Sequence, residues 1–453
     1  MSYNSIINVL KSVFLFAITA LLTSSCGNKP RQSSDEQSPD KETETTLSWI
    51  DKDESEDYVA RHECSFVQAG DKFIMFGGRE QAKRLDIYDY KTNTWSTGAE
   101  APKEFNHFQA TAYKGFVWII GSFKTNDFPR EQPEDNIWLY HPPTNSWIEG
   151  PEIPEGRRRG GAGLVVYDDK FYVVGGNTIG HDGGFVNWFD EYDPRANTWT
   201  ELENASQQRD HFSAAVIGDK LYAAAGRKSG GEGGVFSPLP AIVDVYDFQS
   251  NSWSTLSKNI PTPRAAPGVI VYNGELLLMG GEGENKGPAF KVVEAYNPAT
   301  DSWSSKASMN YARHGTQAIL SGKGIYIAAG SPTTGGGRQH NMEVYGEDSP
   351  EGEPLVTSTL EAMDQLSINA GSVGTITLNN TGGNTGSFIT SLEIMGTQKD
   401  NFSIVGNDKF ILVDPEVSKS INFQHYGSSA GDTVELKINY NGTYTLTITL
   451  ISK

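Results

Sequence analysis

The sequence predicts an all-β protein with two parts, a six-bladed β-propeller closed by an N-terminal strand and a β-sandwich that follows it. The main observation is a repeat with a period of about fifty residues, which is typical of propeller blades. Five tyrosines are each followed seven residues later by a tryptophan, and successive tryptophans are 52, 52, 54 and 50 residues apart. The pairs are Tyr88 and Trp95, Tyr140 and Trp147, Tyr192 and Trp199, Tyr246 and Trp253, and Tyr296 and Trp303.

The third repeat, Arg159–Trp199, shows the structure expected of each unit. Its β-prone runs Leu164–Tyr167 and Phe171–Val174 flank a tight turn, a third strand ends at Tyr192, and a fourth begins at Trp199. Such a sheet is too small to fold alone and must pack against its neighbours.

A small-residue doublet ends the second strand of every repeat. It is intact at Gly77-Gly78, Gly175-Gly176 and Gly280-Gly281, and replaced by Gly121-Ser122, Ala225-Gly226 and Ala329-Gly330. This pattern of doublet, tyrosine and tryptophan resembles the kelch repeat. The resemblance implies blades of four antiparallel strands around a central channel.

The sixth repeat lacks its own tryptophan. Tyr345 is present, but seven residues later the chain has Gly352. Trp49 lies 12 residues before Arg61, which is close to the spacing between the other tryptophans and the equivalent position. We therefore expect a strand around Trp49 to complete the last blade, which removes the exposed edge and closes the ring.

The N-terminal segment predicts export. Residues 1–25 contain the apolar run Val13–Leu22 and end in Leu-Thr-Ser-Ser. With the Cys-Gly that follows, this resembles a bacterial lipoprotein processing site with Cys26 as the lipidated residue. An ordinary signal peptide cut nearby is the alternative. Residues 26–44 are polar and predict a disordered tether. The expected location is the bacterial cell envelope, on the outer membrane or its periplasmic face, with membrane attachment through the lipid.

The expected domains are a propeller over residues 45–352 and a sandwich over residues 353–453. The run from Leu378 to Ile404 resembles the Ig-like modules of bacterial surface proteins, which implies a spacer or docking role. The net charge of −19 argues against a nucleic-acid partner.

Candidate ligand-binding residues recur at one register, 16 residues before each doublet. Five blades have arginine there and one has Phe105: the arginines are Arg61, Arg159, Arg209, Arg264 and Arg313. Topology places these positions and the long loops after the doublets on one face of the ring, at a mouth of the channel. Acidic neighbours such as Glu63, Glu155 and Asp210 could offset the charges, or a bound carboxylate could.

Histidines extend this candidate site. The four near the arginine register are His62, His107, His211 and His314. Loop residues that could reach the same mouth are Arg130, His181, Asp182, Arg227, Arg338 and His340. Because the histidines are spread over three or four blades, the sequence predicts neither a metal nor another cofactor.

The resemblance admits three functions: a copper oxidase, a sialic acid mutarotase and a non-enzymatic binding module. The oxidase requires a thiol for a Cys–Tyr cross-link, and Cys64 lies within an inner strand where a buried structural cysteine is expected. The mutarotase requires an acid and a base, for which His107, His211, Glu63 and Asp210 are candidates by position.

We favour a binding module for an anionic saccharide or an acidic peptide or protein, and the mutarotase is the enzymatic alternative. This interpretation predicts that alanine at Arg209 and Arg313 weakens binding and leaves the fold intact.

Overall fold

The computed structural model describes residues 47–52, 57–428 and 430–453, which form 33 strands and four single-turn 3-10 helices. The helices are Pro142–Thr144, Glu155–Arg157, Gly180–Asp182 and Lys399–Asn401. Among these residues, none of the helices has the length and apolar character that a membrane span requires. The predicted signal peptide, the lipidation site Cys26 and the predicted tether lie outside the described residues.

Six four-stranded antiparallel sheets form the blades of the propeller. Strand β1 is Trp49–Asp51. Blade 1 contains β2 (Cys64–Ala69), β3 (Lys72–Gly77), β4 (Leu85–Asp89) and β5 (Thr94–Thr97). Blade 2 contains β6 (Ala110–Tyr113), β7 (Phe116–Ile119), β8 (Asn136–His141) and β9 (Ser146–Glu152). Blade 3 contains β10 (Gly163–Tyr167), β11 (Lys170–Val174), β12 (Phe189–Asp193) and β13 (Thr198–Glu201).

The other three blades repeat this order. Blade 4 contains β14 (Ala214–Ile217), β15 (Lys220–Ala223), β16 (Asp244–Asp247) and β17 (Ser252–Thr255). Blade 5 contains β18 (Gly268–Tyr272), β19 (Glu275–Met279), β20 (Val293–Asn297) and β21 (Ser302–Lys306). Blade 6 contains β22 (Ala318–Ser321), β23 (Gly324–Ala328), β24 (Met342–Gly346) and, as its outermost strand, β1.

The seven-residue spacing between tyrosine and tryptophan builds the outer hairpin of each blade. In blades 1 to 5 the tyrosine of the third strand lies directly opposite the tryptophan of the fourth. The tyrosine hydroxyl donates a hydrogen bond to an Asn or Asp in the intervening turn. That turn residue has a positive φ in every case, and Asn and Asp tolerate this conformation better than most residues. The repeated tyrosine, turn residue and tryptophan therefore contact one another within a single hairpin.

The N-terminal strand closes the ring, which confirms the predicted fold. Trp49 lies opposite Tyr345, as each repeated tryptophan does with its tyrosine, and the two ring centroids are 5.3 Å apart. Nε1 of Trp49 also donates to the carbonyl of Ala307 at 2.8 Å. Strand β24 thus has a partner on both sides.

The C-terminal residues form two packed sheets. The strands are β25 (Thr359–Glu361), β26 (Gln365–Ile368), β27 (Val373–Thr381), β28 (Ser387–Met395), β29 (Phe402–Val405), β30 (Ile411–Val413), β31 (Ser418–His425), β32 (Thr433–Tyr440) and β33 (Tyr444–Ser452). One sheet has the order β25-β27-β31-β29, and the other has the order β26-β33-β32-β28-β30. Buried residues of both sheets, including Ile376, Phe423 and Leu436, form a shared apolar core.

The sandwich packs against blades 2 and 3 of the propeller. The side chain of Phe388 is fully buried, with its ring centroid 5.7 Å from that of Trp118. The backbone amide of Gly386 donates to the carbonyl of Lys114 at 2.7 Å. Nε of Arg195 lies 2.8 Å from Oδ2 of Asp414, which adds an ion pair at the border. The two domains therefore share a core and do not form separate bodies.

Phe388→Leu is expected to lower the free energy of unfolding by about 1–2 kcal/mol, because the smaller side chain leaves part of the shared core unfilled. Met395→Ala, at a side chain 40% exposed on the same strand, is the matched control with little expected effect. Urea denaturation measures both. Equal stability of the Phe388→Leu variant and the wild type would show that this contact does not stabilise the protein.

Candidate functional site

The six inner strands begin on the face of the ring that also carries the loops after the doublets. Successive inner strands contact one another around the channel. In four blades a β-bridge joins the start of the inner-strand segment to the post-doublet loop: Asn106–Phe123, Gly160–Asn177, Asp210–Arg227 and Ala265–Glu282. In blade 6 the bridge joins His314 to Ser331. We call the channel opening on this face the mouth.

A ring of backbone hydrogen bonds surrounds the mouth. It is formed by six residues, one from each blade, that lie two positions after the arginine register and all have a positive φ: Glu63, His107, Gly161, His211, Ala266 and Gly315. Each amide from His107 to Gly315 donates to the carbonyl of the preceding member, and the amide of Cys64 completes the ring by donating to Gly315 at 3.2 Å. We call these six residues the collar.

Three collar members carry ionisable side chains despite this backbone conformation: Glu63, His107 and His211. A positive φ is uncommon for residues other than glycine and has an energetic cost. Strained positions of this kind cluster at functional sites. The collar therefore marks the mouth as the candidate site.

The five arginines of the predicted register are buried beneath the mouth. Each is at most 2% exposed. Each also donates to the carbonyl of the residue 16 positions later, which is the first residue of the doublet. The recurring interval of 16 residues is therefore the spacing of an internal hydrogen bond.

Each of these arginines forms an ion pair with an acidic residue on the third strand of its own blade. The pairs are Arg61 with Asp86, Arg159 with Asp190, Arg209 with Asp244, Arg264 with Glu294, and Arg313 with Glu343. In blade 2 both members are aromatic, and the ring centroids of Phe105 and Trp138 are 6.1 Å apart. The register is thus a structural link between the inner and third strands of a blade.

The interpretation of Arg61, Arg159, Arg209, Arg264 and Arg313 as ligand-binding residues at the mouth needs correction. Their guanidinium groups are shielded from solvent and already have carboxylate and carbonyl partners. The acidic neighbours proposed from the sequence, Glu63, Glu155 and Asp210, are not those partners.

A pocket of about 310 Å³ opens at the mouth, and we call it the mouth pocket. It is lined by His62, Glu63, Arg79, His107, Phe128, His181, Arg227, Phe236, Glu282 and Gly335. A smaller cavity of about 30 Å³, lined by the collar, lies in the channel. Glu63 and His107 line both the pocket and the cavity.

The structure divides the four predicted histidines into two groups. His107 and His211 face each other with ring centroids 4.3 Å apart, and the loop residue His181 lies 4.9 Å from both. His62 and His314 form a looser pair with centroids 6.0 Å apart. Their ligand-binding role stays a prediction.

The predicted loop residues have different positions. His181 and Arg227 line the mouth pocket. Nε of Arg130 lies 2.6 Å from Oδ2 of Asp182, and both side chains are exposed. Nε2 of His340 lies 3.0 Å from the carbonyl oxygen of Tyr58, and Arg338 is exposed.

Burial controls the protonation of the histidine and carboxyl side chains at the mouth. It lowers the pKa of His107 and of His211, with a further contribution from neighbouring positive charges, so both imidazoles are neutral at pH 7. Burial raises the pKa of Asp210. Burial also opposes ionisation of Glu63, but the interaction with nearby histidines, of which His314 contributes most, outweighs it and lowers the pKa of Glu63. Neutral bases therefore lie beside an ionised carboxylate.

Comparison with known proteins agrees with this architecture. The profile of the KLHDC2/KLHL20/DRC7 Kelch-repeats domain matches residues 40–208 and 151–330, which together are well over half of the chain. The chain belongs to the kelch-repeat family.

Kelch relatives from several sources match parts of the chain. Kelch-like protein terF of Aspergillus terreus is 29% identical over 216 residues, which are 45% of this chain and 46% of the relative. Kelch repeat protein M-T8 of Myxoma virus is 27% identical over 49% of this chain and 41% of the relative. Kelch-like protein 36 of Mus musculus is 28% identical over 44% of this chain and 31% of the relative. The chain thus spans less than half the length of these curated relatives.

A solved structure titled "Structure of YjhT" has the same kelch fold. It superposes with a TM-score of 0.53 at 17% sequence identity, over 64% of this chain and 95% of that chain. At this identity the likeness shows the fold alone.

Two features of the mouth were not identified from the sequence: the acidic partners of the arginines and the position of His181. The acidic partners of the arginines all lie two residues before the repeated tyrosine, so a period-by-period alignment could have found them. The approach of His181 to His107 and His211 has no such signal, because it depends on the path of a long loop.

Proposed function

We propose that the protein is a binding module that holds a saccharide in the mouth pocket. The observation that carries this proposal is the composition of the pocket wall. The guanidinium groups of Arg79 and Arg227 provide donors, and the carboxylates of Glu63 and Glu282 provide acceptors. Each hydroxyl group of a sugar both donates and accepts hydrogen bonds, so a saccharide site needs donors and acceptors together. Phe128, which is 62% exposed, and Phe236 add apolar surfaces at the same pocket.

The charge of the pocket favours neutral and singly anionic saccharides. Its two arginines are balanced by its two glutamates. Arg227 pairs with Glu282, and Arg79 pairs with Glu131. A preference for a sugar carboxylate therefore depends on the remaining donors of Arg79 and Arg227, since the five buried arginines are neutralised.

An acidic peptide or protein is the less favoured ligand. Kelch propellers generally serve as protein-binding modules, which supports a macromolecular partner. However, the net charge of −19 repels a strongly acidic partner at long range. A peptide therefore belongs in the binding panel as the competing outcome.

The proposal also includes an anchor. The apolar run Val13–Leu22 and the following Leu-Thr-Ser-Ser-Cys-Gly support export and attachment of the chain to the cell envelope through a lipid on Cys26. A propeller held this way samples ligands at the membrane surface.

A sugar mutarotase is the second candidate, and the pair Asp210–His211 is the observation that favours it. The Nδ1 of His211 is hydrogen bonded to Oδ1 of Asp210, and both side chains are buried. A neutral imidazole whose Nε2 is free of other ligands can accept the proton of the anomeric hydroxyl while an acid protonates the ring oxygen, which opens the ring; the reverse steps close it on the other face. Interconversion of anomers, followed by NMR on each sugar that binds, distinguishes a mutarotase from a binding module.

Phe128→Ala is expected to weaken saccharide binding by about tenfold, because it removes an aromatic surface from the pocket. The measurement is isothermal titration of the full chain with acidic sugars, neutral sugars and acidic peptides. Tyr426→Ala is the matched control, since this aromatic side chain of the sandwich is 66% exposed. Equal affinity of the Phe128→Ala variant and the wild type, or binding of peptides alone, would contradict the proposal.

A further inference from the structure

Three histidines from different blades converge at one point of the mouth. His107 and His211 belong to the collar, and His181 lies in the 3-10 helix Gly180–Asp182 of the loop between β11 and β12. Each offers one ring nitrogen, and the three nitrogens lie within 4.8 Å of one another. All three residues are at most 6% exposed.

The Nδ1 atom of each of these rings lies close to a side-chain oxygen. Nδ1 of His107 lies 2.6 Å from Oδ1 of Asn106, and Nδ1 of His211 is hydrogen bonded to Oδ1 of Asp210. Nδ1 of His181 lies 2.9 Å from Oε1 of Glu131. A histidine that ligates a metal usually donates its other ring nitrogen to a carboxylate or carbonyl, which fixes the ring and raises its basicity.

The opposite nitrogens of the two collar histidines lack a hydrogen-bond partner. Nε2 of His107 and Nε2 of His211 are buried, and neither forms a hydrogen bond with any residue in the described ranges. Buried polar atoms without a partner are rare, and an unoccupied ion site is one explanation for them. Oε2 of Glu63 lies 3.5 Å from Nε2 of His107.

We propose that His107, His181 and His211 bind one divalent transition-metal ion of the zinc type. Three imidazole nitrogens suit Zn²⁺, Ni²⁺ and Cu²⁺, whereas Mg²⁺ and Ca²⁺ prefer oxygen ligands. Zinc–nitrogen bonds of about 2.0–2.1 Å place tetrahedral ligands about 3.4 Å apart, so the three rings close slightly on the ion. Three protein ligands leave a fourth position for water, for Glu63 or for a ligand in the mouth pocket.

A neighbouring group, Glu63, Glu282 and His314, also has ligand atoms within 4.8 Å of one another. Two of its members, Glu282 and His314, have hydrogen-bond partners, while Nδ1 of His314 is buried without one among the described residues. Glu282 pairs with Arg227 and accepts the amide of Gly335 at 2.8 Å. Nε2 of His314 lies 2.9 Å from the carbonyl oxygen of Thr333. The three-histidine group is therefore the metal site.

The sequence did not predict this site because its histidines come from separate blades. In the structure the hydrogen-bonded ring of the collar brings residues that are far apart in the chain to one opening, so histidines of separate blades can share a ligand. The metal site does not rest on saccharide binding, and zinc titration without sugar separates the two proposals.

The test is isothermal titration of ZnCl₂ into the full chain, expressed without a polyhistidine tag and first dialysed against a chelator. We expect one Zn²⁺ per chain, no binding of Mg²⁺, and at least 100-fold weaker Zn²⁺ binding by His181→Gln. His340→Gln, at another loop histidine on the same face, is expected to bind Zn²⁺ like the wild type. Unchanged zinc affinity of a folded His181→Gln variant would overturn the proposal, as would the absence of stoichiometric binding to the wild type.

X-ray absorption spectroscopy of the zinc-loaded wild type gives an answer that does not depend on the folding of a variant. A fit with three imidazole ligands supports the site. A fit with one imidazole or none overturns it.

Discussion

Deletion of residues 45–52 destabilises the whole propeller, because blade 6 then keeps only three strands and β24 exposes an unpaired edge. The largest single contribution comes from Trp49, whose side chain is buried against Leu277, Met279 and Tyr345. Trp49→Ala alone is expected to lower the free energy of unfolding by about 3–5 kcal/mol. Urea denaturation monitored by circular dichroism measures the effect.

Ile50→Ala is the control for this prediction. Ile50 lies on the same strand but is 44% exposed, so its truncation keeps the backbone pairing and removes little buried surface. We expect a change of at most about 0.5 kcal/mol. A deletion variant as stable as the wild type would show that β1 does not close the ring.

Arg209→Met is expected to destabilise the protein by about 3–5 kcal/mol, because it leaves the carboxylate of Asp244 buried without its charged partner. Nη2 of Arg209 lies 2.9 Å from Oδ2 of Asp244, and both residues are fully buried. The substitution also removes the donors to the carbonyls of Ala225 and Ile242. This outcome is the opposite of the sequence-based expectation that alanine at Arg209 leaves the fold intact.

The double variant Arg209→Met/Asp244→Asn is the control for the charge. The amide removes the unpaired charge and keeps one acceptor oxygen, whereas Asp244 accepts the hydroxyl of Ser206 and the amide of Gln207 at separate oxygens. We expect it to recover a measurable part of the lost stability. If Arg209→Met is as stable as the wild type and lowers saccharide affinity, the arginine is a ligand-binding residue after all.

The fold could be predicted from the sequence because its determinants are local and repeated. The tyrosine and tryptophan of each outer hairpin are seven residues apart and contact each other directly. Even the closure of blade 6 follows from this rule, since Trp49 occupies the place that Gly352 cannot fill. The packing of Phe388 against Trp118 has no comparable signal, because it joins surfaces of two domains with unrelated patterns.

The face that carries the candidate site could be predicted from the sequence, but the orientation of its side chains could be predicted only in part. Topology predicted that the starts of the inner strands and the long loops share one face, and two of the four predicted histidines, His107 and His211, are collar members. The arginines were misinterpreted because each guanidinium turns inward to a carboxylate on another strand, and a single register does not reveal the direction of a side chain. The position of His181, the third histidine of the proposed metal site, depends on a contact with Glu131 of the neighbouring blade.

The location of the bound ligand is the most direct test of the account. The measurement is hydrogen–deuterium exchange of the full chain with and without the ligand that binds most tightly in the panel. We predict protection of the collar segments and of the loops at residues 122–136, 177–187 and 227–241, with no change in residues 353–453. Protection confined to the sandwich, with unaltered exchange at the mouth, would contradict the assignment of the mouth pocket as the functional site.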